Sequence, residues 1–359
     1  MDERQQANER RPPEASQAAS GWGARVVRSR WFPWASWILS AIALGYVLSR
    51  LRFSELRRDI DGTTWWLIAL AILLQIIPRV LETLRWQYLL RPLRLRFRQL
   101  FQAVYVGTLY SGILPFSGGD VVRGFIVARR AGVSAVRVLS TEVVERVADA
   151  IAIILVVWFT LRGLMLTFAL RLALGFLEVG VGLIVIFGIV LVVQSVNLRN
   201  RFEAWHPIRR TSRLLRSSAL EVIRTVALLS LRAMLVALSA AVGAVIVNIA
   251  SYWCILRAYH LNLSLLQAAA LFAIVMIGTF LPNTPGNLGS WQFFCVIGLQ
   301  AFGVSAARAA GFSLVAFVIW TLPPILAGFF ALFTSPFSWS ELRGRRNTAD
   351  GSARQEMSV

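Results

Sequence analysis

The chain has 359 residues, of which 57% are hydrophobic and 15% are charged, and its mean hydropathy is +0.64. With several apolar runs of about 20 residues, each long enough to cross a bilayer, this composition predicts a polytopic membrane protein and excludes an ordinary soluble domain. The net charge of +19 does not indicate a nucleic-acid partner, because the arginines cluster in short segments between apolar runs, as in cytoplasmic loops of membrane proteins.

The termini and the apolar runs define the predicted domain organisation. Residues 1–30 and 336–359 are polar and rich in arginine, which predicts two disordered cytoplasmic tails. Between them, residues 31–335 form one predicted transmembrane domain, and the arginine-rich segment at residues 199–224 is predicted to be a cytoplasmic loop within it. Six full spans are expected at about residues 34–48, 64–84, 138–161, 172–193, 233–256 and 309–333.

Two further apolar regions are each interrupted by glycine and proline. The first, residues 99–131, contains Gly112-Ile-Leu-Pro-Phe-Ser-Gly-Gly-Asp120, and the second, residues 265–303, contains Gly278-Thr-Phe-Leu-Pro-Asn-Thr-Pro-Gly-Asn-Leu-Gly-Ser290. The leg after the first break covers only about 12 Å as a helix, which is less than the roughly 30 Å of a bilayer core. We therefore expect two re-entrant hairpins, whose irregular backbone is buried in protein or lines a cavity. Their turns are predicted at Pro115, Gly118 and Gly119, and at Pro282, Pro285, Gly286 and Gly289.

The predicted topology is an inverted repeat. Six full spans and two same-side hairpins place both termini and every strongly basic segment in the cytoplasm. The stretch Gly132-Val-Ser-Ala-Val-Arg137 recurs as Gly303-Val-Ser-Ala-Ala-Arg308, each time just after a broken region and just before a full span. Three full spans separate the hairpins, so they should enter from opposite faces, as the broken elements of transporters do. The predicted fold class is an all-α membrane protein with this arrangement.

Charged residues concentrate at the start of the third full span. Glu142, Glu145, Arg146 and Asp149 are spaced three or four residues apart, so they share adjoining faces of one helix, and Arg123 beyond the first break is the expected extra partner. One interpretation is an ion-pair cluster that holds the first hairpin against this helix. The other is a polar lining for a headgroup or a proton, since ionisable residues inside a membrane are usually functional.

Asp120 and Ser290 each follow a glycine-rich break and precede an apolar run, which is the position of a helix N-cap. In that case the helix N-termini would point into the membrane interior and could bind a phosphate or carboxylate. The alternative is that glycine and proline only permit a tight turn. Arg123 lies one turn beyond Asp120 and could contact the same anion.

The sequence lacks the patterns of several other functions. It contains no P-loop, no GxGxxG after a strand and no nucleophile with a nearby base, so neither an enzyme nor an ATP-driven pump is predicted. Cys254 and Cys295 lie in apolar runs without CxxC spacing, and His206 and His260 are far apart. We therefore expect no disulfide framework, no metal site and no cofactor.

Three motifs resemble the transmembrane domain of the lysylphosphatidylglycerol synthase family, whose flippase-like members also occur without an aminoacyltransferase domain. They are Gly112-Ile-Leu-Pro-Phe-Ser-Gly-Gly-Asp-Val-Val-Arg123, Glu145-Arg-Val-Ala-Asp149 and Pro282-Asn-Thr-Pro-Gly-Asn-Leu-Gly289, in that order. The chain departs from the family pattern at Asp120, where glutamate is usual. It departs again at Gln292, near the position of a common glutamate.

The resemblance implies a lipid flippase or transporter of the bacterial inner membrane. It would move an anionic or lipid-linked headgroup between leaflets, and substrates in the family range over aminoacylated phospholipids, lipid-linked sugars and hopanoid-related lipids. The residues expected to bind or pass the headgroup are Asp120, Arg123, Glu142, Glu145, Arg146, Asp149, Ser290 and Gln292. The alternative function is a non-transporting scaffold or regulator of a lipid-modifying or glycosyltransferase complex, with such an enzyme as its partner.

Overall fold

The structure is a computed structural model that describes residues 31–93, 95–113, 118–163, 231–279 and 285–334, together with positions 175, 179, 180 and 182. Within these residues every regular element is a helix, which confirms the all-α class. The predicted tails at residues 1–30 and 336–359, the span at residues 172–193, the basic segment at residues 199–224 and His206 lie outside the described residues, apart from the four single positions.

The first four helices cover the first two predicted spans and the segment between them. Helix α1 is Trp31–Arg50, α2 is Phe53–Asp61, α3 is Trp65–Leu74 and α4 is Ile76–Leu89. The predicted second span is thus two helical segments that meet at Gln75. Pro78 explains the interruption, because proline has no N–H to donate to the carbonyl of residue 74 and its ring crowds that carbonyl. At this interruption the side chain of Gln75 donates a hydrogen bond to the Ile319 carbonyl of α11, at 3.3 Å.

The first broken region forms a pair of helices and leads into a long third one. Helix α5 is Phe97–Ile113, α6 is Gly118–Ala131 and α7 is Ala135–Gly163. The legs α5 and α6 pack closely because glycine lies at their crossing: a Cβ atom added to Gly119 would lie 1.8 Å from the Gly107 carbonyl oxygen. The interruption between the legs therefore lies where the glycine-proline pattern predicts it.

The second broken region repeats this arrangement. Helix α8 is Leu231–Ala258, α9 is Leu265–Gly278, α10 is Ser290–Ala301 and α11 is Ala306–Thr334, with a short 3₁₀ turn, Pro285–Asn287, before α10. Its legs also cross at a glycine, since a Cβ atom on Gly278 would lie 2.0 Å from the Phe294 ring. Pro115 and Pro282, which were predicted to form the turns, lie outside the described residues.

The recurring hexapeptide has the same local structure in both places. Gly132 and Gly303 have φ of 64° and 83°, a left-handed conformation that glycine adopts without a steric penalty. In each copy the following valine N–H bonds to a carbonyl five residues back, Val133 to Ala128 at 3.0 Å and Val304 to Leu299 at 3.1 Å. This is the Schellman termination of a helix, so the repeated sequence encodes a repeated helix end.

The two helix pairs, α5–α6 and α9–α10, are each joined at a break, and the ends away from the breaks are their open ends. The open ends of the two pairs lie at opposite ends of the bundle. At one end the Thr64 N–H bonds to the Ala258 carbonyl, and Arg308 lies 3.5 Å from the Asp59 carboxylate. At the other end Gln87 donates to the Leu95 carbonyl. Helices α3 and α4 connect these ends over 25 residues, about 37 Å.

The two breaks meet inside the bundle. A Cβ atom added to Gly286 would lie 3.4 Å from the carbonyl oxygen of Gly112, and one added to Gly112 would lie 3.3 Å from the Ile325 side chain. Gly286 has a φ of 70°. Because Ile325 lies well inside α11, the turns approach each other away from both ends of the bundle.

Three helical stretches among the described residues are long and apolar enough to cross a membrane: Trp65–Leu89, Arg232–Ala258 and Ala306–Thr334. Shorter apolar helices occur at Trp37–Arg50 and Leu265–Gly278. Helix α7 spans 29 residues, which is also sufficient in length, but its first 15 residues carry five ionisable side chains that lower its hydropathy. A multi-pass membrane protein is confirmed, whereas six full spans with two re-entrant hairpins stays a prediction.

Candidate functional site

Arg123 on α6 is the centre of a buried ion network that joins the first helix pair to α4 and α7. Its side chain is 4% exposed, and its guanidinium pairs with Glu82, Glu142 and Glu145, the last at 3.0 Å. The guanidinium also lies 4.9 Å from the ring centroid of Trp86. A planar guanidinium with five donors suits such multiple pairing better than an ammonium would.

A second arginine, Arg85 on α4, extends the network along α7. Its Nε donates to Glu145 at 2.9 Å and its Nη1 donates to Asp149 at 2.6 Å. Trp86 donates its indole N–H to the Thr141 hydroxyl at 3.1 Å. Glu145 thus lies between two arginines from two different helices, which fixes the mutual position of α4, α6 and α7.

The network also has a partly exposed edge. Arg146 pairs with Asp120, and Arg79 pairs with Glu82 at 2.8 Å. The side chain of Arg146 is 53% exposed and that of Asp149 is 34% exposed. A buried core of paired charges is therefore continuous with charged groups that an approaching molecule could reach.

The network carries more carboxylates than guanidinium groups. Among the described residues it contains five acids and four arginines: Glu82, Asp120, Glu142, Glu145 and Asp149 against Arg79, Arg85, Arg123 and Arg146. The Oε1 atom of Glu142 is buried and has no hydrogen-bond partner within the part of the chain that the structure describes. Among the described carboxylates of the network, it is the buried oxygen that has no hydrogen-bond donor.

The structure brings together six of the predicted residues and separates two. Asp120, Arg123, Glu142, Glu145, Arg146 and Asp149 all belong to the network, as their spacing suggested. The pairing differs from the simplest helical expectation, because Arg146 contacts Asp120 on the neighbouring helix instead of Glu142 one turn before it. Ser290 and Gln292 lie in the second helix pair and make no ion pair.

Asp120 and Ser290, which were predicted to be helix N-caps, both lie inside their helices. Helix α6 begins at Gly118 and has Asp120 in its first turn, so Asp120 is inside the helix and its carboxylate pairs with arginines. Helix α10 begins at Ser290 and its cap is Gly289, with a φ of 92°. The N–H of Gly289 donates to the buried Gln292 side chain at 2.7 Å. Gln292 therefore satisfies the backbone of the turn.

Sequence reasoning missed Glu82 and Arg85. Their position near the end of an apolar run resembled the boundary of a span, where charges meet water. The structure instead places both in the network, with Arg85 buried and Glu82 half-buried. The signal that could have identified them is their spacing: Arg79, Glu82 and Arg85 recur every third residue, so they lie on one side of the helix and match the charged side of α7.

The site consists of paired charged side chains. Within the described residues no three histidine, cysteine, aspartate or glutamate side chains converge as a metal site. The carboxylates of the network face arginine guanidinium groups. A polar molecule with both positive and negative groups could exchange for these internal partners.

The fold and the network define a multi-pass helical membrane protein with two broken helix pairs and a buried charge cluster that joins the first pair to two other helices. Comparison with known sequences gives the particular family. Residues 34–328 match the family described as lysylphosphatidylglycerol synthase TM region, so the chain belongs to that family, and the resemblance of the three motifs is confirmed.

Two archaeal relatives are similar over most of their length. A UPF0104 membrane protein of Methanothermobacter thermautotrophicus is 24% identical over 297 residues, which cover 77% of this chain and 88% of the relative. A UPF0104 membrane protein of Methanocaldococcus jannaschii is 22% identical over 311 residues, covering 82% and 92%. No solved structure matches the chain.

Proposed function

We propose that this protein moves the headgroup of an anionic or lipid-linked lipid between the two leaflets of a membrane, without carrying out a reaction on it. The observation that supports this most is the ion network, because it attaches a broken helix pair to two other helices through charges that continue to a partly exposed edge. Ionisable groups at this depth are costly and are usually retained for function.

The headgroup would follow the edge of the network while the acyl chains stay in lipid. Arg146 and Asp149 offer a cation and an anion that a passing headgroup reaches first. Exchange of Arg146 from Asp120 to a phosphate would loosen the contact between α6 and α7, so binding would be coupled to movement of the first helix pair. Differential interaction of a ligand with two arrangements is what makes such coupling work.

The proposed topology has two re-entrant hairpins that enter from opposite faces of a bacterial inner membrane, with both termini in the cytoplasm. The opposite placement of the two open ends and the contact between Gly112 and Gly286 support it. Broken helices that meet near the midplane are a common basis of alternating access.

The test is leaflet exchange in reconstituted vesicles. Purified protein should accelerate exchange of at least one lipid from a panel of phosphatidylglycerol, aminoacylated phosphatidylglycerol and polyprenyl-linked sugar, and Arg146→Gln should slow it several-fold. A half-exposed ion pair contributes only about 0–1 kcal/mol to stability, so this variant should fold normally. Arg52→Gln is the matched control, because Arg52 forms an exposed pair with Glu55 at the opposite end.

Failure to accelerate exchange of any lipid in the panel would refute transport.

A second candidate function is then favoured by one observation: most charges in the network are already paired with each other, as a purely structural cluster would be. In that case the protein would scaffold or regulate a lipid-modifying or glycosyltransferase complex. Stable co-purification with such an enzyme, unaffected by Arg146→Gln, would support this second function.

A further inference from the structure

A cavity of about 600 Å³ lies between α4 and α8, next to the ion network. Its polar wall consists of Arg85, Gln87, Tyr88, Arg91 and Ser239. Leu81, Leu84 and Val236 are among the apolar residues that complete it. Its volume is within the usual range of small-molecule sites, and it shares Arg85 with the network.

The cavity is amphipathic along the helices. Helices α4 and α8 pack closely at Leu81, since a Cβ atom on Gly243 would lie 3.4 Å from its side chain. Further towards the end of α4 the lining includes the small Ser239 of α8, and Arg91 follows the end of α4. A molecule in this space would have its apolar part against Leu81 and Leu84 and its polar part near Arg91.

The charge of the cavity is positive. Among the described residues that line it, none is acidic. The guanidinium of Arg85 is engaged by Glu145 and Asp149, whereas Arg91 is exposed and lies 4.0 Å from the ring centroid of Tyr88. Stacking on the ring orients the Arg91 guanidinium while leaving its N–H groups available. Arginine in such a position favours a phosphate.

We propose that this cavity binds one anionic phospholipid of the cytoplasmic leaflet, with its phosphate at Arg91 and the start of an acyl chain against Leu81 and Leu84. The inference rests on the proposed function for the orientation of the bundle in the membrane. It adds the site where the lipid is held next to the network, and Arg85 connects the two, because it lines the cavity and holds Glu145.

The test is lipid binding to the purified full-length protein by native mass spectrometry. Phosphatidylglycerol should bind more tightly than phosphatidylcholine, and Arg91→Ala should weaken phosphatidylglycerol about five- to tenfold, as expected for one arginine at a membrane surface. Arg91→Lys should restore part of the affinity. The matched control is Arg98→Ala, which removes an exposed arginine that does not line the cavity.

A second variant tests the cavity itself. Ser239→Phe fills the space without changing charge and should weaken both phospholipids. The proposal is overturned if Arg91→Ala and Arg98→Ala weaken phosphatidylglycerol binding equally, or if Ser239→Phe leaves binding unchanged. It is also overturned if sn-glycerol 3-phosphate displaces phosphatidylglycerol at comparable concentration, because this result would indicate a soluble ligand. Arg91-dependent binding in a protein that exchanges no lipid would retain the cavity and refute transport, so the two failures are distinguishable.

Discussion

Replacement of Arg123 by methionine measures what the ion network contributes to stability. The guanidinium of Arg123 is buried and pairs with Glu82, Glu142 and Glu145. Loss of the cation from a buried pair leaves its carboxylate uncompensated and typically costs about 3–5 kcal/mol. We expect the upper part of this range, because three carboxylates lose the same partner. At about 2 °C per kcal/mol for a large domain, the unfolding midpoint should fall by roughly 8–10 °C.

The assay is thermal unfolding of the purified protein in detergent, followed by tryptophan fluorescence. Arg123→Lys is the control for charge alone: it keeps the cation but cannot reach three carboxylates at once, so its midpoint should lie between those of the wild type and Arg123→Met. Adding Glu142→Gln to Arg123→Met removes one uncompensated carboxylate and should recover part of the loss. A midpoint for Arg123→Met within about 2 °C of the wild type, or no recovery in the double variant, would refute the reasoning.

Three further predictions concern the glycines of the two breaks. Gly119→Ala should lower the free energy of unfolding by about 1–3 kcal/mol in the same assay, which is the usual cost of overpacking, because the added methyl would lie 1.8 Å from a facing backbone oxygen. Gly45→Ala is the control: Gly45 has open space around it, so this variant should be neutral or stabilising. Gly289→Ala should lower the midpoint further, since its φ of 92° is strained for alanine and the methyl would lie 2.3 Å from a backbone oxygen. The third variant combines Gly112→Cys with Gly286→Cys in a background without the native cysteines. It should form a disulfide that stops lipid exchange until the disulfide is reduced. An intact crosslink that leaves exchange unchanged would contradict relative movement of the two breaks.

The positions of the broken helices could be predicted because glycine and proline constrain the backbone locally. A proline cannot continue a hydrogen-bonded helix and a glycine tolerates positive φ, so breaks in α5–α6 and α9–α10 follow from sequence alone. The same reasoning did not find the interruption at Gln75. A single proline without glycine was treated as compatible with a continuous span, yet the missing N–H of Pro78 is sufficient to separate α3 from α4.

The members of the charge cluster on one helix could be predicted, but its partners on other helices could not. Helical spacing reveals that Glu145 and Asp149 share a face, whereas the identity of the facing residue depends on how α4 packs. Arg85 therefore appeared as a boundary charge. Its neighbour Trp86, which the structure buries completely, was not singled out by sequence reasoning. Tertiary packing decides between these interpretations, and sequence spacing does not contain it.

The exact start of a helix was also beyond sequence reasoning. Asp120 was predicted to cap α6 because it follows two glycines, but both glycines are helical. They can be so because α6 packs against α5 too closely for any side chain at Gly119, and this packing compensates for the poor helix propensity of glycine. The carboxylate is consequently placed in the first turn of the helix, where it faces Arg146.

The two helix pairs share a backbone pattern but differ in charge, and this difference bears on mechanism. Helices α9 and α10 carry no charged side chain, and the polar group at their turn, Gln292, is occupied with the N–H of Gly289. All ion pairs of the network involve α4, α6 and α7. In a symmetric alternating-access device both breaks would bind the substrate in similar ways. If the protein moves a charged headgroup as proposed, the ion pairs of the described residues with which that headgroup could exchange lie at the first break. We therefore expect the second break to act through its backbone shape, as a surface against which the first helix pair moves.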